Sequence, residues 1–163
     1  GWATAWSFDR LRLRLEHEVA PEQSARLSAV HAVARLAVGL LWIYQGLVPK
    51  IIERHPAEIA LLEAAGSSAA SAPRLAALVG VAEIAFGLIL LATYPRRWPL
   101  GLTAIAMAGA LVWLAIFVPA ALGGPFNAVG LNAGMLALSA VGILSSPPGR
   151  LPLARRCRRR KPA

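Results

Sequence analysis

The chain has 163 residues, of which 57% are hydrophobic, and its mean hydropathy is +0.58. Soluble domains average about 45–50% apolar residues, and so short a chain could not hide the excess in one core, which excludes an ordinary soluble domain. The formal charge is +9, and the single cysteine, Cys157, excludes an internal disulfide and a CxxC redox centre.

In chain order, residues 1–29 read as an N-terminal interfacial segment. The stretch FDRLRLRL (8–15) alternates polar and apolar residues, and Trp2 and Trp6 stand one helical turn apart. Aromatics at headgroup level with arginines toward lipid phosphates suit both patterns. The chain opens without Met, as a processed product or the end of something longer would. No short apolar core with a small-residue cleavage site follows, so a signal peptide is not expected.

Pro21 starts a new helix, whose first membrane span runs over about residues 31–49. HPAEIALLEAAG reads as a short amphipathic helix with Pro56 in its first turn, Ile59, Leu62 and Ala65 on one side, and Gly66 as its stop. SSAASAP is a flexible link. The second span, residues 75–91, is LAALVGVAEIAFGLILL, in which Glu83 is the one charged residue. YPRRWP makes a tight turn, so the second and third spans form an antiparallel hairpin. The third span covers 98–118, ALGGPFNAVG turns the chain again, and the fourth covers 129–144. Each reaches or approaches the roughly 20 residues a spanning helix needs. The expected fold is all-α: a polytopic, antiparallel four-transmembrane-helix bundle over residues 30–146, with a basic tail over 147–163.

The basic residues set an orientation. Arg10, Arg12, Arg14, Arg26 and Arg35 precede or open the first span, Arg96 and Arg97 occupy the second loop, and RCRRRK follows the fourth span. In the first loop Lys50, Arg54 and Arg74 mix with Glu53, Glu58 and Glu63, and the third loop has no Lys or Arg. Basic residues collect on the cytoplasmic side of short loops, so both termini are expected there. The tail abuts a span, so anionic headgroups are its expected partner and nucleic acid is not.

Small residues identify the faces that pack, because helices in lipid approach closely where Gly and Ala line one side. Gly80, Glu83 and Gly87 share one face of the second span, and Gly39, Ile43, Gly46 and Lys50, with Trp42 beside them, form a matching stripe on the first. In the fourth span Gly130 and Gly134 have GxxxG spacing, while Asn132 and Ser139 mark a polar face. An ionised side chain at mid-helix costs roughly 2.5–3.5 kcal/mol to insert, so Glu83 is expected to face the interior with a partner. It lies roughly 12 Å below the outer end of its helix. Tyr44, Gln45, Asn132 and Trp113 fall at similar depth with Lys50 above them. These six residues, Glu83 included, make a candidate pocket opening outward.

Each member also has a plainer reading. Lys50 could snorkel to headgroups, Asn132 could join helices, Tyr44 and Trp113 could be packing or belt residues, and Glu83 could be a protonated structural contact. The histidines (His17, His31, His55) fall in different regions, so neither a bis-His haem nor a Ser–His–acid set is expected. No HExxH, Cys/His cluster, GxGxxG after a strand or P-loop occurs, which leaves no metal or nucleotide site legible.

LLWIYQGLVPKI, VAEIAFGLILL and PFNAVGLNAG together resemble the DoxX-like membrane proteins, small four-helix bundles of bacteria. The residues that carry the resemblance are Trp42, Tyr44, Gly46, Leu47, Pro49 and Lys50; Glu83 and Gly87; and Pro125, Phe126 and Asn132. It covers about residues 30–145. Members of the wider group are associated with sulfur-compound oxidation through the quinone pool or with redox-stress complexes. Some relatives are fused to, or encoded beside, reductase domains. The resemblance therefore implies an accessory or anchoring subunit of a redox complex in the bacterial inner membrane, with other membrane subunits as partners. A second expectation is a small-molecule site for a quinone, sulfur species or lipid. In a quinone site Glu83 or Lys50 would donate protons, and Tyr44 or Trp113 would stack on the ring. A third is a transporter-like element. The chain holds no electron carrier of its own, so it reads as a component rather than a complete quinone reductase.

Overall fold

In the computed structural model, the described residues are 7–8, 11, 14–15, 20–94, 96–119 and 128–146. Pro125, Phe126, the tail over 147–163 and most of the N-terminal segment lie outside them; residues 21–29 belong to the first long helix. The elements are α1 (Pro21–Leu47), a π-helical turn (Val48–Ile52), α2 (Pro56–Ala64), α3 (Ala72–Ala92), α4 (Trp98–Phe117) and α5 (Ala128–Leu144). Proline sets four of the starts: Pro21, Pro56, Pro73 and Pro99 all occupy the first two helical positions, where a missing N–H costs nothing. Gly66, at φ +97°, sits just beyond α2 in a conformation that favours glycine. His55 caps the other end of α2 by accepting the Ala57 N–H at 3.2 Å.

Among the described residues three helices are long and apolar enough to cross a membrane: Pro21–Ile52, Ala72–Ala92 and Trp98–Phe117; Ala128–Leu144 is a shorter apolar helix. Their outward faces carry Val33, Leu40, Leu78, Val81, Ile105, Val112 and Ile116, all exposed. Apolar residues facing out in every helix are what a hydrocarbon surround selects. The fold is a helical membrane bundle.

The strongest packing is between α1 and α3, antiparallel, through the two glycine stripes. A Cβ on Gly80 would lie 2.6 Å from the Gly46 carbonyl, and one on Gly87 would lie 2.8 Å from the Gly39 carbonyl. Backbone meets backbone at both places, so only glycine fits. α4 packs chiefly on α5, and α5 on α1. α3 and α4 are consecutive and antiparallel, as expected of a hairpin, but touch little. Val38, Leu90, Leu100, Met107 and Met135 form the core where the four long helices meet.

The GxxxG pair of α5 corrects one expectation. Gly130 and Gly134 are exposed, and a Cβ on Gly134 would meet nothing within 4 Å. The glycine of α5 that packs is Gly142, where a Cβ would lie 2.9 Å from a Leu100 methyl. It shares its face with Met135 and Ser139, both buried. The larger polar and apolar residues, not the paired glycines, mark the inward side.

Candidate functional site

The site begins where α1 ends. Pro49 lacks an N–H and cannot continue the i→i−4 ladder, and the chain widens into the π-helical turn, closed by Glu53 N–H to Val48 O at 2.8 Å. Lys50 projects from this turn and is buried. Glu83 lies between Gly80 and Gly87 on the face of α3 that meets α1, and the Gly46–Gly80 contact holds the two backbones close enough for both side chains to reach. Lys50 Nζ is 3.0 Å from Glu83 Oε2 and 3.2 Å from Glu58 Oε2, which arrives from α2. One ammonium thus bridges two carboxylates from different helices.

These three residues form one end of a cavity of about 230 Å³ between the helices. Its walls include Trp42 and Gln45 of α1, Leu61 of α2, Met107, Ala110, Trp113 and Leu114 of α4, and Ala128, Leu131, Asn132 and Met135 of α5. Trp42 is fixed twice: its Nε1–H donates to Thr103 Oγ1 at 3.1 Å, and its ring meets Phe86 edge to face at 5.1 Å between centroids. The Trp113 ring lies 5.9 Å from that of Phe117.

Of the six residues singled out from sequence, Glu83, Lys50, Gln45, Trp113 and Asn132 line this cavity. Tyr44 does not; it is 55% exposed, two residues on from Trp42 and so on the opposite side of α1. The sequence reading did not include Trp42, Glu58, Met107 or Met135 in the site. Trp42 precedes Gly46 by one turn, and that spacing could have placed it on the inner face. Glu58 carries no comparable signal, because only the fold of α2 over α3 brings it to Lys50.

The opposite end of the bundle holds a second polar cluster that sequence reasoning missed. Arg35 is 1% exposed. Its guanidinium donates to the carbonyls of Leu90 (2.7 Å), Thr93 (2.7 Å) and Arg96 (2.8 Å), and to Thr93 Oγ1 at 3.1 Å. These carbonyls end α3 and begin the following turn, where a helix leaves acceptors unpaired and the macrodipole favours a cation. His31, one turn earlier, donates from Nδ1 to the Gly142 carbonyl at 2.7 Å and packs edge to face on Tyr94. Ser146 joins by donating to the same carbonyl at 2.9 Å. Every partner of Arg35 and His31 in these contacts is a neutral acceptor or ring, so this cluster closes helix ends.

No solved structure matches the chain. The chain is 30% identical over 110 residues to an uncharacterized membrane protein, YndG, of Bacillus subtilis (strain 168); the match takes in 67% of this chain and 32% of the relative. The chain thus spans about a third of that relative's length. The family model described as DoxX-like family matches residues 39–140, which include both glycine stripes, the Lys50–Glu83 pair and the α4 and α5 walls of the cavity. This chain belongs to the DoxX-like family.

Proposed function

We propose that this DoxX-like chain is a membrane-embedded binding protein whose cavity takes a small molecule with a polar end and an apolar body. The supporting observation is convergence: a charged pair, two amides and two indoles from α1, the π-helical turn, α3, α4 and α5 meet around one space in an otherwise apolar bundle. Binding sites combine apolar walls with a few convergent polar groups in this way. A quinone is one molecule of that shape, its oxygen toward Glu83 or Lys50 and its ring against Trp113. The chain would then exchange protons with it while a partner handled the electrons.

A second reading, an accessory subunit of a membrane redox complex, draws support from the relative, in which the matched region is 32% of a longer chain. A unit of this family is there joined to further sequence. Both readings sit in a bacterial inner membrane with the termini in the cytoplasm, in keeping with the arginines around the Arg35 end and in the tail. A membrane-impermeant maleimide tests this on intact spheroplasts: it should spare Cys157 and label Glu63→Cys made in a Cys157→Ser background. The reverse pattern overturns the orientation.

The cavity reading is tested by filling it. The purified full chain in lipid nanodiscs is melted with a short-tailed benzoquinone, an aromatic alcohol and an aromatic amine. At least one should raise the melting temperature, and none should do so in Ala110→Trp. A shift that persists in the filled variant, or no shift at all, refutes the reading.

A further inference from the structure

Resting on the cavity reading, the charge of the lining narrows the class of ligand. Among the described residues three lining side chains carry charge: Lys50, Glu58 and Glu83. Two carboxylates share one ammonium, at 3.2 and 3.0 Å, so the ionised trio has one negative charge in excess. The rest of the wall offers indoles, thioethers, aliphatic groups and two amides. An unbalanced charge in such surroundings is costly unless a cation or a proton offsets it. Trp42 and Trp113 add ring faces that attract cations. Gln45 and Asn132 also line the space, and each amide can accept from a ligand N–H through its oxygen. An anion, by contrast, would find the one ammonium already engaged on both sides.

We infer that the cavity takes a small organic cation, an ammonium group on a short aromatic or aliphatic body. Its N–H groups bond the carboxylates of Glu83 and Glu58 as the Lys50 ammonium gives up one of them. The body lies between Trp42 and Trp113. A space of about 230 Å³ is below the roughly 300–1,000 Å³ of drug-sized sites, which limits the body to about one ring.

Titration calorimetry on the full chain in nanodiscs, with empty nanodiscs subtracted, tests this with three probes of one shape: 2-phenylethylammonium, 2-phenylethanol and 3-phenylpropionate. The ammonium should bind at least about tenfold more tightly than the alcohol, and the carboxylate should not bind. Glu83→Gln should weaken the ammonium about tenfold and leave the alcohol within about twofold; Glu58→Gln should weaken it about threefold. If the alcohol binds as tightly as the ammonium, the cation class is wrong and the cavity reading stands. If no probe binds, or if ammonium binding survives Ala110→Trp, both fall. Should Glu83→Gln not fold, Glu58→Gln decides alone, since α2 has no buried residue; unchanged ammonium affinity there overturns the inference.

Discussion

The two ends of this bundle each bury a basic residue, Arg35 of α1 and Lys50 of the π-helical turn that continues it, in opposite ways. Arg35 is held by backbone carbonyls and one hydroxyl, all neutral and all at the end of α3 or in the turn that follows it. Lys50 is held by two carboxylates that reach it from α2 and α3, beside a cavity. Carbonyls at a helix end lack the N–H one turn on that would otherwise hold them, so the guanidinium is a permanent part of the fold. Carboxylates accept any cation, so the ammonium at the other end can be exchanged. The contrast assigns a structural role to the Arg35 end and leaves the proposed site at the Lys50 end.

Arg35→Met should give the largest effect, because it bares carbonyls and removes every bond the guanidinium makes. A loss of roughly 3–5 kcal/mol is expected in reversible unfolding by sodium dodecyl sulfate, and Arg35→Lys should recover little, since a lysine lacks the planar fork. Gly80→Val comes next, at about 1–3 kcal/mol, because its side chain pushes the Gly46 carbonyl and the Lys50 stem away and pulls the cavity wall apart. Lys50→Met should cost roughly 2 kcal/mol, less than Arg35→Met, because the stranded carboxylates can take up protons. In calorimetry it should bind 2-phenylethylammonium more tightly than the native chain does. Glu58→Gln should change stability by less than about 1 kcal/mol, as for a partly exposed ion pair. A Lys50→Met variant as unstable as Arg35→Met would erase the distinction between the two ends.

Much of the Lys50 end was legible in the sequence, because glycines at a seven-residue spacing mark a face and Glu83 and Lys50 lie on those faces. The Arg35 end was not. Arg35 reads as an ordinary basic residue at the start of a span, and nothing local to it reveals that another helix ends beside it. Gly134 shows the converse: spacing alone says that close approach is allowed, not that a neighbour is present. Tyr44 shares a motif with Trp42 but not a face, since two residues on a helix turn the side chain by about 200°. Glu58 depended on a fold-back of α2 that no pairwise pattern encodes.

The glycine contacts have a consequence for assembly. Gly39 and Gly46 are seven residues apart, and so are Gly80 and Gly87, so the α1–α3 seam nearly repeats itself. Sliding one helix by that repeat, roughly 10 Å, would seat Gly46 against Gly87 in one direction or Gly39 against Gly80 in the other, and either would still satisfy half the seam. It would also strand Lys50 away from Glu83 and Arg35 away from the end of α3. The two basic residues therefore act as stops at either end of a rail, and they select one alignment from three that the glycines alone would tolerate.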